Sequence, residues 1–388
     1  MKLLFVSNLF PDQRELYRGL DNATLLHHLR RDCDIRVVSP RPALPFRAGP
    51  AKLCRAEDAV FQPVYVNSPY VPKAGSMFNH RLMASALRQP LLKLQRPFPF
   101  DVILVSWTFP DTAAIAGLQS QLRAPFVGIV QGSDAHAYLK MGLRRKAIVS
   151  ALNRSASTIT RSAKLAELLA EAGVVREKLH PVYNGVDLET FRPAEDRAKV
   201  REELGLSPNL PMLLFVGNFL PVKNPLLLVR AHAELCRKYT ERRCQLVMVG
   251  GGPMEGEARR AADAGGFGEN VVLAGRKNAA QVARYMQAAD VLCLSSENEG
   301  VPNVILEAFA SGIPVMSTAV GGIPEVVSKD FLGRLVERGQ LDPMVGPLAE
   351  LLARPARTEQ IREHALYFSW ERAADEYLAL LKQAVFKK

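Results

Sequence analysis

The sequence has few cysteines and no cysteine pattern that would crosslink a small secreted domain. The cysteines are Cys33, Cys54, Cys236, Cys244 and Cys293. They form no CxxC pair and no local cluster with histidine, so neither a disulfide framework nor a zinc site is indicated. Cys293, inside the apolar run VLCL, is expected to be a buried small hydrophobic residue.

Long apolar runs are also absent. Stretches such as LLFV near the start and FVGIV at 126–130 are far shorter than the roughly 20 residues needed to cross a bilayer. The first residues, MKLLFVSNLFPDQ, have too short an apolar core for a signal peptide and are better interpreted as a strand and a loop. We therefore expect a cytoplasmic protein.

Acidic residues are missing from one long segment. None occurs between Asp58 and Asp101, where basic residues alternate with apolar ones. Residues 1–190 contain 25 Lys and Arg against 15 Asp and Glu, whereas the remainder contains 25 against 24. Residues 73–96 therefore fit two structures: an amphipathic helix on an anionic membrane surface, or a core-packed helix with a solvated basic face. We expect no nucleic-acid binding, because no base-reading motif accompanies the basic residues.

The length and the pattern of the chain predict two α/β domains. At 388 residues the chain exceeds the roughly 250–300 residues at which single hydrophobic cores stop growing. Short β-branched runs alternate with helical patterns throughout, which predicts parallel sheets covered by helices on both faces. We predict a first domain over 1–185 and a second over 186–369, with a terminal helix at 370–388 packing back on the first.

The individual elements follow from the same pattern. The predicted strands are KLLFVS, IRVVSP, DVILVSW, FVGIV, STITRS, MLLFVGN, QLVMVGGGP, NVVLAG, DVLCLS and IPVMST. Ser162 is predicted to cap the helix AKLAELLAEAG, which Gly173 ends. The only Asp-x-Asp, at 32–34, precedes a strand, which is the wrong end of a parallel sheet for a ligand site. We interpret it as a turn and expect no metal requirement.

The segment ENEGVPNVILEAFASGIP, residues 297–314, has the most informative pattern. It predicts a loop after a strand and then a helix that starts near Pro302. Glu299 lies in the loop and Glu307 lies in the helix. A helix N-terminus attracts phosphate and carboxylates accept hydrogen bonds from sugar hydroxyls, so the segment suits a sugar nucleotide. Stabilisation of the helix dipole is the competing explanation for Glu299.

These residues resemble a known family. EGVPNVILEAFASGIPVMSTAVGGIPEVV is similar to the donor-site signature of the retaining, GT-B-fold glycosyltransferases of family 4: Glu-Gly-x-Pro, a second Glu eight residues after the first, and a Gly-Gly-x-Pro-Glu loop. Further matches are FVGNFLPVKNPLLLVRA, VMVGGGP, NGVD and FSWERAADEY. The resemblance implies two doubly wound Rossmann-like domains facing across a cleft, and a retaining, nucleotide-sugar-dependent hexosyltransferase.

The resemblance also implies roles for residues of the second domain. Glu307 would bind the nucleotide ribose, Glu299 the hydroxyls of the donor sugar, and Lys223 the diphosphate. Asn218 stands where the family often has arginine, so one positive charge is missing at that position. The remaining implied donor contacts come from the backbone around Val301, Pro302, Asn303 and Val304 beside the diphosphate, and from Gly275 and Arg276 beside the nucleobase.

The first domain departs more from the family pattern. Its opening loop has Gly19 where relatives commonly have two glycines near the donor phosphates. Gln131 occupies the place of a frequent histidine, and it can hydrogen-bond but cannot titrate. His136 lies five residues further on, and the sequence does not decide which of the two replaces that histidine. Asp134 is a candidate for orienting the acceptor hydroxyl, with a helix cap as the alternative.

The expected partners are a UDP-sugar or GDP-sugar donor and a glycan or lipid-linked acceptor. A basic first domain at an anionic membrane surface would fit cell-envelope polysaccharide or glycolipid synthesis. No cofactor is expected, because the nucleotide sugar is itself a substrate. A sugar-nucleotide epimerase, a phosphorylase and a noncatalytic nucleotide-sugar-binding protein are the alternatives.

Overall fold

The computed structural model describes residues 1–43, 51–240, 243–354 and 356–386, with Ala74 described by its backbone. The chain divides into two compact units. The first unit contains Met1–Asn184 and the C-terminal segment that begins at Trp370. The second unit is Gly185–Ser369.

The first unit is built on a seven-stranded parallel sheet with the order β3-β2-β1-β4-β5-β6-β7. Its strands are β1 (Lys2–Val6), β2 (Asp34–Ala43), β3 (Val64–Pro69), β4 (Val102–Ser106), β5 (Phe126–Val130), β6 (Ser157–Thr160) and β7 (Leu179–Pro181). Its helices up to Asn184 are α1 (Leu20–Leu29), α2 (Asn79–Gln95), α3 (Ala113–Leu122), α4 (Ser133–His136), α5 (Gly142–Arg154) and α6 (Ala163–Ala172).

Both faces of this sheet are buried. Successive strand residues point to opposite faces, so Leu4 and Val6 join one hydrophobic core and Leu3 and Phe5 join the other. This is why the central strands have nearly continuous apolar sequences instead of alternating ones.

Helix α2 decides between the two structures that the sequence allowed for residues 73–96. Met83, Leu87 and Leu91 of this helix are fully buried in the first core. Arg81 and Lys93 remain exposed. The apolar face of α2 therefore packs against the protein, and only its basic face is free to meet a membrane.

The second unit has a six-stranded parallel sheet with the order β10-β9-β8-β11-β12-β13. The strands are β8 (Met212–Val216), β9 (Gln245–Val249), β10 (Val271–Gly275), β11 (Val291–Leu294), β12 (Val315–Thr318) and β13 (Gly333–Val336). The helices are α7 (Arg197–Glu203), α8 (Pro225–Lys238), α9 (Glu255–Ala264), α10 (Ala279–Ala288), α11 (Asn303–Ala310), α12 (Ile323–Val326), α13 (Asp342–Ala353) and α14 (Thr358–Ala365).

The final helix, α15 (Trp370–Phe386), belongs to the first unit, as the sequence predicted. It packs against α1, and its residues Ala374, Tyr377 and Leu381 lie in the core beneath the first sheet. The amphipathic sequence of α15 explains this position, because its apolar face covers a sheet surface that would otherwise be exposed.

Helix ends are set by local sequence. The Ser162 side chain accepts a hydrogen bond from the backbone N–H of Leu165, which caps α6, and Gly173 ends this helix in the left-handed conformation. Gly312 closes α11 in the same way: the N–H of Ile313 donates to Ala308 and that of Gly312 to Phe309. Ser162 and Gly173 confirm the cap and the stop that the sequence predicts for α6.

Among the described residues, no helix combines the length and the hydropathy that crossing a membrane requires.

Candidate functional site

The second sheet offers a ligand site where its strand order reverses. The chain runs outward from β8 to β10 on one side and from β11 to β13 on the other, so β8 and β11 flank the topological switch point. In open α/β sheets, ligands bind at this point beside the carboxyl ends of the strands. The loops that follow β8 and β11 carry Lys223 and Glu299, so both residues stand at the predicted place.

Lys223 and Glu299 form an ion pair. The Lys223 Nζ contacts Glu299 Oε1, and the Ser296 hydroxyl donates to the same oxygen at 2.7 Å. The Glu299 side chain is only 11% exposed and that of Lys223 is 25% exposed. The structure thus joins a cation to a nearly buried carboxylate across the switch point.

Polar contacts tie the two loops together. Ser295 donates from its hydroxyl to the carbonyl oxygens of Lys223 at 3.1 Å and Asn224 at 2.8 Å. The Asn224 side chain donates to Glu297 at 2.8 Å. Because these contacts hold the loop backbones, the Lys223–Glu299 pair has a defined position.

Helix α11 follows the Glu299 loop directly. Val301, Pro302, Asn303 and Val304 are half-buried at its start, and Glu307 lies one turn after Asn303 on the same half-buried side. Ile305, Leu306, Ala308 and Phe309 are buried behind them. The helix N-terminus and the Glu307 carboxylate are therefore presented on the side of the helix that does not pack into the core.

Gly321 allows the Glu299 loop to lie close to the next loop. It has φ +58°, and a Cβ atom there would lie 1.9 Å from the carbonyl oxygen of Glu299. The adjacent N–H of Gly322 donates to the Gly300 carbonyl at 2.9 Å. Any side chain at position 321 would push the Glu299 loop away.

Arg276 supplies positive charge beside Asn218. Its guanidinium donates to Asn218 Oδ1 at 3.3 Å and to the Gly251 carbonyl at 3.2 Å. Arg276 follows β10, where Gly275 accepts a hydrogen bond from the backbone of Gly250. Folding thus places a positive charge next to Asn218, from a residue that the sequence linked only to the nucleobase loop.

The first sheet has a second polar cluster at its carboxyl edge. Gln131, which follows β5, donates to Ser106 Oγ at 2.8 Å and Asn22 Oδ1 at 3.2 Å, and accepts from Arg161 Nε at 3.3 Å. Asn22 belongs to α1, whose N-terminal residue Gly19 has φ 68°. A Cβ at Gly19 would lie 2.3 Å from the Leu9 carbonyl oxygen, so this close approach requires glycine.

Asp134 is fully buried and holds its own loop. Its carboxylate accepts the backbone N–H groups of Thr108 at 2.8 Å, Gly132 at 2.9 Å and Gln131 at 3.1 Å. Burial raises its pKa, and these hydrogen bonds oppose that effect. The geometry fits the loop-capping alternative, and the suggested role toward an acceptor stays a prediction.

His136 lies in α4, where burial and the nearby Lys140 lower its pKa. In the described part of the chain, no hydrogen bond joins its ring to Gln131. The Gln131 amide is fixed by three polar partners, and the assignment of the family's histidine role to Gln131 or His136 stays a prediction.

The sequence did not identify two functional candidates in this cluster. Arg161 is 3% exposed, and its Nη atoms have no hydrogen-bond partner among the described residues. Asp111 is fully buried, accepts from the backbone and side chain of Asn8 at 2.6 and 2.7 Å, and has a pKa raised to about 7 because burial disfavours its charge. Neither belongs to a recognisable motif, so only the folded structure shows their surroundings.

Comparison with known proteins adds to this geometry. The family described as glycosyl transferases group 1 matches residues 196–366, and glycosyltransferase family 4 matches residues 22–190. A D-inositol 3-phosphate glycosyltransferase of Segniliparus rotundus is 36% identical over 217 residues, or 54% of this chain and 48% of the relative. One of Nocardia farcinica is 32% identical over 264 residues, or 66% of this chain and 58% of the relative. The chain spans about half the length of the curated relatives it matches.

Solved structures agree on the fold. The structure of Anabaena HepE in complex with UDP covers 98% of this chain and 100% of its own, with a TM-score of 0.77 and 18% identity. Sucrose-phosphate synthase of Thermosynechococcus elongatus covers 100% of both chains with a TM-score of 0.77 and 20% identity. With both halves of the sequence matched and the fold shared over its whole length, the chain belongs to the GT-B-fold glycosyltransferases of family 4.

Proposed function

We propose that this protein transfers a hexose from a nucleoside-diphosphate sugar to an acceptor hydroxyl with retention of configuration. The observation that carries the proposal is the Lys223–Glu299 pair at the switch point of the second sheet, beside the start of α11. A cation, a helix N-terminus and two carboxylates are the groups that a diphosphate joined to two sugars requires.

The proposed donor contacts follow from this arrangement. Glu307 binds the ribose hydroxyls, and the start of α11 binds the diphosphate. Glu299 binds the donor sugar, while Lys223 moves toward the leaving phosphate as negative charge develops there. Arg276, which follows β10, lies beside Asn218, which follows β8, and provides a second cationic contact.

The chemical step needs no enzymic nucleophile. The bond from the anomeric carbon to the leaving phosphate oxygen breaks, and the acceptor oxygen bonds to the same face of the sugar. The acceptor proton passes to an oxygen of the departing nucleoside diphosphate. The protein stabilises the charge that forms on this group, which is the effect expected to contribute most to the rate.

UDP-sugars are the first donors to test. The Anabaena protein of the same fold has been solved with UDP and with UDP-glucose. The relatives named for inositol 3-phosphate suggest a phosphorylated polyol as one acceptor to test beside glycan and lipid-linked acceptors.

The donor site is tested by thermal denaturation with UDP, GDP, ADP and their common sugar conjugates. At a hundredfold excess over Kd, a ligand stabilises the native state by about 2.7 kcal/mol, which corresponds to a rise in Tm of about 5–10 °C. We expect one nucleotide series to give this rise and Glu307→Ala to abolish it. Glu363→Ala, an exposed glutamate of α14, is the matched control. A folded protein stabilised by no nucleotide would contradict the proposal.

Once the donor is known, activity assays distinguish the alternative functions. A transferase forms a glycoside only when an acceptor is present, and NMR of the product shows whether the anomeric configuration is retained. An epimerase converts the donor alone, a phosphorylase requires phosphate, and a noncatalytic binding protein gives a Tm shift without product.

We also propose that the first unit contacts an anionic membrane surface. Tyr70, Val71 and Phe78 are 38%, 42% and 49% exposed before and at the start of α2, next to the exposed Arg81 and Lys93. Exposed aromatic and aliphatic side chains beside basic ones are typical of protein surfaces that bind lipid headgroups. A lipid-linked acceptor would be reached from this surface.

A further inference from the structure

A buried cluster of soft metal ligands lies in the second unit, where the sequence showed no local pattern. His232 and Cys236 lie one turn apart on α8, and Cys244 directly precedes β9. They are 0%, 3% and 0% exposed. Among the described residues, they are the only three metal-ligating side chains whose ligand atoms all lie within 4.8 Å of one another.

The distances match those between the ligands of one metal ion. Cys236 Sγ lies 3.5 Å from His232 Nε2 and 4.0 Å from Cys244 Sγ. With Zn–S near 2.3 Å and Zn–N near 2.0 Å, a tetrahedral zinc ion separates its ligand atoms by about 3.5–3.8 Å. Side chains in this arrangement need to move only slightly to bind a common ion.

The backbone carbonyl of Cys244 lies beside the same side chains. Its oxygen accepts a hydrogen bond from His232 Nε2 at 2.9 Å and lies 4.0 Å from Cys236 Sγ. Once Nε2 has lost its proton, this oxygen is a fourth donor atom next to one nitrogen and two sulfurs. With it, the ion would have the four-coordinate geometry of a structural zinc site.

Packing alone does not account for the histidine. His232 Nδ1 is buried and has no hydrogen-bond partner among the described residues. A buried polar nitrogen without a partner costs free energy that an apolar side chain of similar size would avoid. A metal ion bound at Nε2 leaves the ring proton on Nδ1, so the free energy of metal binding must exceed this cost.

The charge balance favours a divalent ion. Zn²⁺ bound by two thiolates and a neutral imidazole has no net charge, as a buried site requires. Binding releases the two thiol protons to solvent, and the imidazole proton moves from Nε2 to Nδ1. No oxidant or reductant takes part, since zinc has no redox chemistry.

We propose that His232, Cys236 and Cys244 bind one Zn²⁺ ion that joins α8 to the start of β9. The ion is structural, because Cys244 precedes its strand and lies at the amino edge of the sheet, whereas Lys223 and Glu299 follow strands at the carboxyl edge. The proposal does not depend on the proposed transferase activity.

The test is the zinc content of the full-length protein, purified without metal-affinity steps and refolded with or without zinc. We expect about one zinc per chain, and a fall in Tm of about 5 °C or more after removal with a strong chelator, reversed by zinc. Refolding with cobalt should give the thiolate-to-cobalt charge-transfer band and the intense red-region bands of a tetrahedral site.

Variants locate the ion. Cys236→Ala and His232→Leu should each lose the zinc and the cobalt spectrum, whereas Cys33→Ala, which removes a buried thiol of the first unit, should retain both. Zinc content near zero after refolding with zinc would overturn the proposal, and this wild-type result does not require the variants to fold. A Cys236–Cys244 disulfide would also overturn it, seen as three free thiols of five in the denatured protein.

Discussion

Among single residues, Lys223 provides the most direct test of the proposed stabilisation of the leaving phosphate. Its ammonium lies beside Glu299, so Lys223→Met removes a cation while keeping the length of the side chain. We expect the rate of nucleotide release to fall by roughly 10²–10³, the usual loss when one group that stabilises developing charge is removed. Initial rates with the donor found by thermal denaturation measure this.

The control for Lys223→Met is Lys199→Met, which removes an exposed lysine from α7 of the same unit. It should keep the wild-type rate. If Lys223→Met raised only KM and left kcat unchanged, the lysine would bind the ground state alone, and its role toward the leaving group would be wrong.

Asp111 predicts a dependence of stability on pH. Burial raises its pKa to about 7 from an ordinary value of 3.8, so the native state binds more protons than the unfolded state between these values. Its contribution to the free energy of unfolding is therefore greatest below about pH 4 and decreases as the pH rises to about 7, by up to about 4 kcal/mol. Above pH 7 the contribution is constant.

Urea unfolding of the wild type and Asp111→Asn between pH 4 and pH 8 measures this effect. The free energy of unfolding of the wild type should fall relative to that of the variant up to about pH 7, and their difference should then stay constant. Loss of one hydrogen bond to Asn8 shifts the variant by an amount independent of pH. Parallel curves for the two proteins would show that Asp111 does not titrate in this range.

At this scale, the sequence predicts residues whose surroundings are local. Glu299 could be placed in a loop and Glu307 on the following helix because both lie within one short segment, and their roles stay predictions. Arg276 beside Asn218, and Arg161 beside Gln131, could not be assigned, because the partners are joined only by folding. The cluster of His232, Cys236 and Cys244 could not be predicted for the same reason. It forms only when one turn of a helix packs against the start of a strand.

At the scale of elements, backbone fit predicts the effect of two glycine substitutions. A Cβ at Gly321 would lie 1.9 Å from the Glu299 carbonyl oxygen, whereas a Cβ at Gly117, inside α3, meets nothing within 4 Å. Gly321→Ala should displace the Glu299 loop and abolish the nucleotide-induced rise in Tm. Gly117→Ala should keep that rise and stabilise the protein by up to about 1 kcal/mol, because alanine favours helix.

Thermal denaturation with and without nucleotide measures both glycine variants, and circular dichroism checks that each is folded. An unchanged nucleotide response in a folded Gly321→Ala protein would show that the loop position does not matter for donor binding.

The strands differ in how well the sequence predicts them. Central strands such as β1 and β5 are continuous apolar runs because helices cover both faces of the sheet, and the sequence predicts them. The edge strands β3, β7 and β13 were not predicted. Their residues are partly exposed and their strands short, so their pairing depends on the neighbouring strand more than on their own sequence.

At the scale of the whole molecule, charge and fold together limit how the protein meets a membrane. The basic excess lies in residues 1–190, and the structure buries the apolar face of α2 in the core of the first unit. Deep insertion of α2 would expose that core. The proposed membrane attachment would therefore be mainly electrostatic and should weaken as salt screens the basic side chains.

Vesicle binding tests this electrostatic attachment. Each basic residue near an anionic surface contributes about 1 kcal/mol, so reversing Arg81, Arg88 and Lys93 to glutamate should lower partitioning onto anionic vesicles by about a hundredfold or more. Reversing Arg237, Lys329 and Arg357, three exposed basic residues of the second unit, changes the net charge equally and should have a much smaller effect. Equal losses in the two variants would indicate attraction by net charge alone, and wild-type protein that fails to bind at low salt would remove the membrane from the proposed function.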